Sequence, residues 1–246
     1  MIRIEIAAEK IFEIAGFPIT NTLLMSWIVA AILALAGFFI YRRISLVPSF
    51  LQNVLEIVVD KFLGVMEGLF GSRENAEKYF PIVATIFLFI LLSNWLGILP
   101  GIGSIGLLEE HEGKTVFVPL FRSAASDLNF TLALAISAVA LVNIFGIAAL
   151  GISKHLSRFF NFRSPIGFFV GLLEFVSEFA KMISFAFRLF GNVFAGEVLL
   201  VITAFLVPLF IPVPFLMLEI FVGFIQALVF AMLTMVFISI AVAHNH

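Results

Sequence analysis

The chain has 246 residues, 62% hydrophobic and only 12% charged, with 32 Phe, no Cys and a formal net charge of -2. Soluble domains run at about 45–50% apolar and about 25% charged residues, so this composition excludes a soluble globular domain and specifies a polytopic membrane protein. The slight negative charge offers no positive field for nucleic acid, and zero cysteines exclude disulfides, thiolate metal sites and a cysteine nucleophile.

The N-terminal stretch MIRIEIAAEKIFEIAGFPIT mixes acids and bases without a continuous apolar core before a small-residue cleavage site. No removable signal peptide is expected. A bilayer core of about 30 Å needs about 20 apolar residues as helix, and residues 22–41 form the first such run, closed by Arg42 and Arg43. Residues 48–71 are different, because Glu56, Asp60, Lys61 and Glu67 recur among Leu, Val, Phe and Met. That amphipathic pattern predicts an interfacial helix, with a short re-entrant span as the alternative. Residues 80–99 form the second span, with Pro81 suited to a first helical turn and Pro100-Gly101 to an end. Residues 129–152 form the third.

From Pro165 to Ala243 the chain is almost continuously apolar, broken only by VPLFIPVP with Pro208, Pro212 and Pro214. Prolines so close together cannot sit inside a regular helix, so two long helices, 165–207 and 212–243, are predicted. A rod of about 43 residues measures roughly 64 Å, about twice the hydrocarbon thickness. Projection into water would expose Phe and Leu, so a steep tilt is expected. The expected fold is therefore all-α: one integral membrane domain over residues 1–246, with about five spans, one amphipathic surface helix and a long tilted final hairpin.

Orientation follows from Lys and Arg in the short loops. With the N-terminus outside, the cytoplasmic side receives Arg42, Arg43, Lys61, Arg73, Lys78, Lys154, Arg158 and Arg163. The outside receives Arg3, Lys10, Lys114 and Arg122, and the C-terminal AHNH lies in the cytoplasm.

The polar residues of the fourth span fall into a pattern. Ser177, Lys181, Ser184, Arg188, Asn192 and Ala195 are spaced by three or four and share one stripe. Glu197 lies nine residues beyond Arg188, a rotation of about 180° and an advance of roughly 13 Å, and so faces the other way. On the last helix Glu219, Gly223 and Gln226 share a face, where Gln226 supplies both a donor and an acceptor. Polar residues such as Asn143 and Thr234 are read as glue between helices. Arg188 is not, because a mid-membrane guanidinium costs a few kcal/mol and cannot shed its proton. With Glu174, Glu178, Glu197, Glu219 and Lys181 distributed along the same two helices, an ion path is the expected role.

The stretch RLFGNVFAGE, with NWLGILPG and SDLNFTLALA before it and IQALVFAMLTMVFISIA after it, closely resembles the bacterial type of subunit a from the membrane sector of the rotary ATP synthase. The likeness runs from about residue 20 onward, in the same order. It implies a stator beside a rotating ring of small carboxylate-bearing subunits, held by the subunit b peripheral stalk in the bacterial inner membrane. Two offset aqueous half-channels would carry protons to and from the ring, coupling ion flow to ATP synthesis. Arg188 would keep the adjacent ring carboxylate ionised and block direct leakage. Asn192, Glu197, Glu219 and Gln226 match positions of ion translocation, and Glu174, Ser177, Glu178, Lys181 and Ser184 match the half-channel lining. Glu219 stands where some relatives carry His, which should alter the pH dependence. Whether Glu197 and Glu219 share one water path is open, as are ring size and the choice of proton over sodium.

Other motifs are declined. GIGSIG at 101–106 fits GxGxxG but follows a membrane helix, and EGKT at 112–115 has Leu108 where a phosphate-binding loop needs Gly. No nucleotide, cofactor or metal is expected on this chain. Glu109, Glu110, His111 and Glu112 are read as a solvated external hairpin, and His244 and His246 as a frayed end. GVMEG and GFFVG have small-xxx-small spacing, read as close helix packing. The competing class is a self-contained secondary transporter. Such proteins usually carry internal repeats, and the Arg188 motif has no second copy here.

Overall fold

A computed structural model describes residues 7–14, 16–45, 48–99, 101–111, 114–159, 164–207 and 210–242. Arg3, Glu112, Arg163, Pro208, His244 and His246 lie outside the described residues. In chain order the elements are β1 (Lys10–Ile14), β2 (Phe17–Thr20), α1 (Asn21–Arg43), α2 (Phe50–Phe70) and α3 (Arg73–Ile98). There follow β3 (Gly106–His111), β4 (Lys114–Pro119), α4 (Leu128–Leu150), α5 (Ile152–Phe159), α6 (Pro165–Leu206) and α7 (Pro212–Val242). Among the described residues α1, α3, α4, α6 and α7 are long and apolar enough to cross a membrane. The protein is a polytopic, all-α membrane protein, to which two short antiparallel hairpins, β1–β2 and β3–β4, are added.

Local chemistry explains the boundaries. Ser49 caps α2 by accepting from the Gln52 N–H, and Gly71 ends it at φ 72°, a left-handed conformation that glycine adopts without Cβ strain. Helix α3 starts at Arg73, seven residues before the apolar run, because RENAEK continues the helix with good helix formers. Pro81 consequently sits inside α3 rather than in its first turn. Asp127 caps α4, accepting from the Asn129 N–H at 2.9 Å. Helix α7 opens on Pro212, where a missing N–H costs nothing. Its partner in sequence, α6, runs for 42 residues, about 63 Å at 1.5 Å per residue.

Contacts gather into two compact units, and each of the five long helices contributes a segment to both. The first unit combines the N-terminal part to Leu33 with Phe87–Leu134 and Ser184–Val229. Its interior mixes Met25, Val29, Ile90 and Leu189 with Asn21, Thr22, Asn94, Ser126 and Asp127, all buried. These polar groups are used: Thr22 Oγ1 donates to Asp127 Oδ2 at 2.9 Å, and Asn21 Nδ2 donates to the Pro119 carbonyl at 3.3 Å. Helix α3 also passes the loop before α4 at contact distance, since a methyl on Gly97 would stand 2.6 Å from Ser123 Cα. Backbone cannot yield as a side chain does, so Gly97→Ala should destabilise by about 1–3 kcal/mol. The expected readout is a lower midpoint for thermal unfolding of the detergent-solubilised chain.

The second unit combines Ala34–Ile86, Ala135–Ile183 and the chain from Phe230 onward. Met66, Tyr79, Val83, Val139, Met235 and Ile238 form its core. Tyr79 stacks on Phe70 at 5.2 Å and meets Phe145 edge-on at 5.0 Å, which joins α2, α3 and α4. Most of α2 stays exposed, with Phe50, Val54, Ile57 and Val58 outward and Leu63 and Met66 buried.

Candidate ion-translocating sites

In the first unit, α6, α7, α3 and the loop before α4 surround a cavity of about 350 Å³. Its polar lining is Asn94, Arg122, Ser123, Glu197 and Glu219. Arg122 is 8% exposed and its Nε donates to Glu197 Oε1 at 3.0 Å, while Nη1 donates to the Ala7 carbonyl at 3.2 Å. A charge-assisted bond of this kind holds Glu197 in one orientation. Glu219 is buried, and its carboxylate occupies the space that a methyl on Gly196 would need. Only the bare backbone of α6 at that position lets the α7 acid lie against it. Glu197 and Glu219 therefore line one cavity.

The α3 side of this cavity is equally specific. Asn94 Nδ2 donates to the Gly223 carbonyl and Trp95 Nε1 to the Ile220 carbonyl, each at 3.0 Å. Asn94 Oδ1 is buried and has no hydrogen-bond partner among the described residues. A buried amide oxygen pays a desolvation cost unless something donates to it, and its place in the cavity lining suits it to an ordered water. Gln226, two turns beyond Glu219, is half-buried.

Arg188 belongs to the same unit but not to the cavity. It is exposed, with Nη2 donating to Ser184 Oγ at 3.3 Å. Ser184, Asn192 and Ala195 are exposed too, among outward Ile183, Phe187 and Leu199. One face of α6 thus presents a cation and small polar groups within an apolar surface, whereas Glu197 is bound to Arg122.

In the second unit the remaining ionisable residues of α6 form a cluster of their own. Glu178 is buried and accepts from Lys181 Nζ at 2.6 Å and from Asn143 Nδ2 at 3.3 Å. Lys181 lies over the Phe237 ring at 4.9 Å, and Glu174 pairs with Arg158. Ser177 is exposed.

The sequence reading counts Arg122 only as a loop charge and Asn143 only as glue, whereas they are the partners of Glu197 and Glu178, and it does not single out Asn94, which lines the cavity, or His155, which bonds Asn143. Glu197 and Arg122 are 75 positions apart, so no helical periodicity relates them. The available signal was a lone Arg followed by small residues, RSAAS, just before an apolar helix. GIGSIG forms a 3-10 turn at Ile102–Ser104 and runs into β3, without opening a helix.

These features define a class: a multi-pass membrane protein that holds several ionisable side chains inside and along its spanning helices. The sequence model of the ATP synthase A chain matches residues 23–239. The chain belongs to that family. It is 34% identical over 238 residues to the ATP synthase subunit a of Moorella thermoacetica, covering 96% of this chain and 97% of the relative. The subunit a of Helicobacter pylori strain P12 is 32% identical, with 95% and 96% covered. That of Gloeobacter violaceus is 35% identical, with 90% and 83% covered.

Proposed function

We propose that this chain is the ion-conducting stator of a rotary ATP synthase, acting as one integral membrane domain in the bacterial inner membrane. Protons reach and leave the carboxylates of a rotating c-ring through two half-channels, and subunit b holds the chain against rotation. The α6–α7 hairpin lies steeply tilted along the ring, with the N-terminus of the chain outside and its C-terminus in the cytoplasm. Glu197, Glu219 and Gln226 serve one half-channel, joined by Asn94 and Arg122. Glu174, Ser177, Glu178, Lys181 and Ser184 serve the other.

The observation that carries this reading is the exposed Arg188 on the apolar face of α6. A guanidinium there is costly in lipid, and among the described residues the partner it finds is the Ser184 hydroxyl. A carboxylate on a partner helix supplies the missing counter-charge. Asn192, one turn further on, adds an amide to the same face.

Purification tests the proposal against the transporter alternative. The chain should come out of native membranes with an oligomeric ring and a peripheral ATPase, and alone in liposomes it should not exchange ions. Ion exchange by the isolated chain would favour the transporter.

A further inference from the structure

The short helix α5 is held at more points than its eight residues would suggest. His155 is 3% exposed. Its Nε2 lies 3.0 Å from Asn143 Oδ1, and its other side rests on Gly146, where a methyl would stand 2.8 Å from Nδ1. Arg158 pairs with Glu174, and a methyl on Gly171 would run into the Phe159 carbonyl. Helix α5 thus docks on bare backbone of α4 at Gly146 and of α6 at Gly171.

Hydrogen-bond directions fix the state of the ring. Asn143 Nδ2 donates to the Val139 carbonyl at 2.9 Å and to Glu178 Oε2 at 3.3 Å, so its Oδ1 faces His155 and accepts. The imidazole therefore carries its proton on Nε2. Among the described residues Nδ1 is buried without a partner, and a second proton would be placed there, against Gly146 and facing no acceptor among them. The charges facing the ring are Arg158 on α5 itself and Glu178 on α6. Glu178 is shared with Lys181 and Arg158 with Glu174. Helix α4 contributes Asn143 and Gly146 and α7 contributes Ala241 beside Gly146, none of which titrates. Burial pushes the His155 imidazole below its ordinary value, and Arg158 pushes the same way against Glu178.

We propose that His155 is a positioning residue for the Glu178–Lys181 pair: its neutral ring clamps α5 and Asn143, and acidification on the side facing α5 releases them. This rests on the reading of the Glu178 cluster as half-channel lining. Because the folded state favours the neutral imidazole, docking is complete above the ordinary histidine value of about 6.5 and is lost as pH falls below it. The protonated ring must leave Gly146, which frees Asn143 to rotate and removes a donor from Glu178.

The test uses the complete synthase in lipid vesicles, with pH varied on the α5 side from about 7.5 to about 5, across the ordinary range of histidine. Two readouts are taken: hydrogen exchange of residues 152–159 by mass spectrometry, and proton flux. In wild type, protection of α5 should fall by up to about tenfold per pH unit once the ring begins to protonate, with flux changing in parallel. His155→Gln keeps an amide donor for Asn143 but does not titrate, so its protection should be flat. Gly146→Ala should show the low protection already at the upper pH. An acid response retained in His155→Gln overturns the proposal. A response lost in that variant, with flux flat in both, supports the clamp and overturns the reading of the cluster as ion path. Should His155→Gln not assemble, nitrogen NMR of the histidines in the wild-type complex decides. An unprotonated Nδ1 on His155 at the upper pH supports the clamp, and a doubly protonated ring there overturns it.

Discussion

Arg188→Ala and Arg188→Lys are expected to abolish coupled ATP synthesis in vesicles carrying the otherwise complete synthase. A carboxylate in apolar surroundings holds its proton, and a guanidinium within about 4–6 Å lowers its pKa by about one to three units. Removing that guanidinium cuts the ionised fraction of a passing carboxylate about 10- to 1,000-fold, and release of the proton fails with it. Each charge crossing 100 mV supplies about 2.3 kcal/mol, so ATP requires several such crossings in succession, and a fault repeated at each one is fatal to coupling. Lys is no substitute, because a desolvated ammonium can give up its proton and a guanidinium cannot. Arg188→Ala should therefore also raise passive proton permeability. Normal synthesis in either variant would remove Arg188 from the role proposed for it.

Gly196→Ala is the second large effect, and its character differs. The added methyl would take the place now held by the Glu219 carboxylate. That carboxylate is the far end of a flexible side chain, so the helices need not part. The variant should assemble in nearly normal amount, and Gly→Ala inside a helix even favours α6 locally by about 0.5–1 kcal/mol. Glu219, however, must leave the cavity it shares with Glu197. ATP-driven proton pumping is expected to fall at least about tenfold, as for a loss of about 1.4 kcal/mol or more at one step. Pumping at the wild-type rate with normal assembly would mean that the place of Glu219 against α6 does not matter to transport. Glu219→Gln separates charge from position: it fills the same space and should be as inactive as Gly196→Ala.

What could be read from the sequence depended on whether a signal was local. The uninterrupted run after Pro165 gave the length of α6, because apolar residues without Pro or Gly-Pro breaks leave a helix no place to stop. One hundred degrees per residue separated Arg188 from Glu197, and in the folded chain one is exposed beside Ser184 while the other is bound to Arg122. The start of α3 was not legible from hydropathy, since that helix continues through polar RENAEK. Long-range pairings were hidden altogether. Nothing around Asn143 announces His155 and Glu178 as its particular partners, although its reading as glue between helices holds, since it joins α4 to α5 and α6. Gly196 and Gly146 were likewise invisible, because their value lies in what approaches them from elsewhere.

Consider finally the joint between α3 and α7. Asn94 and Trp95, neighbours on α3, grip two α7 carbonyls one turn apart, at Gly223 and Ile220. Gly223 admits Asn94 closely, for a methyl there would stand 3.1 Å from Asn94 Cβ. Slippage of α7 by a single turn, 5.4 Å, would break both bonds together and drive a bulkier residue into the gap. The joint therefore resists shear along the helix axis. In the stator role proposed above, thrust placed on α7 would pass to α3 through these two bonds, one of them at Ile220, next to Glu219.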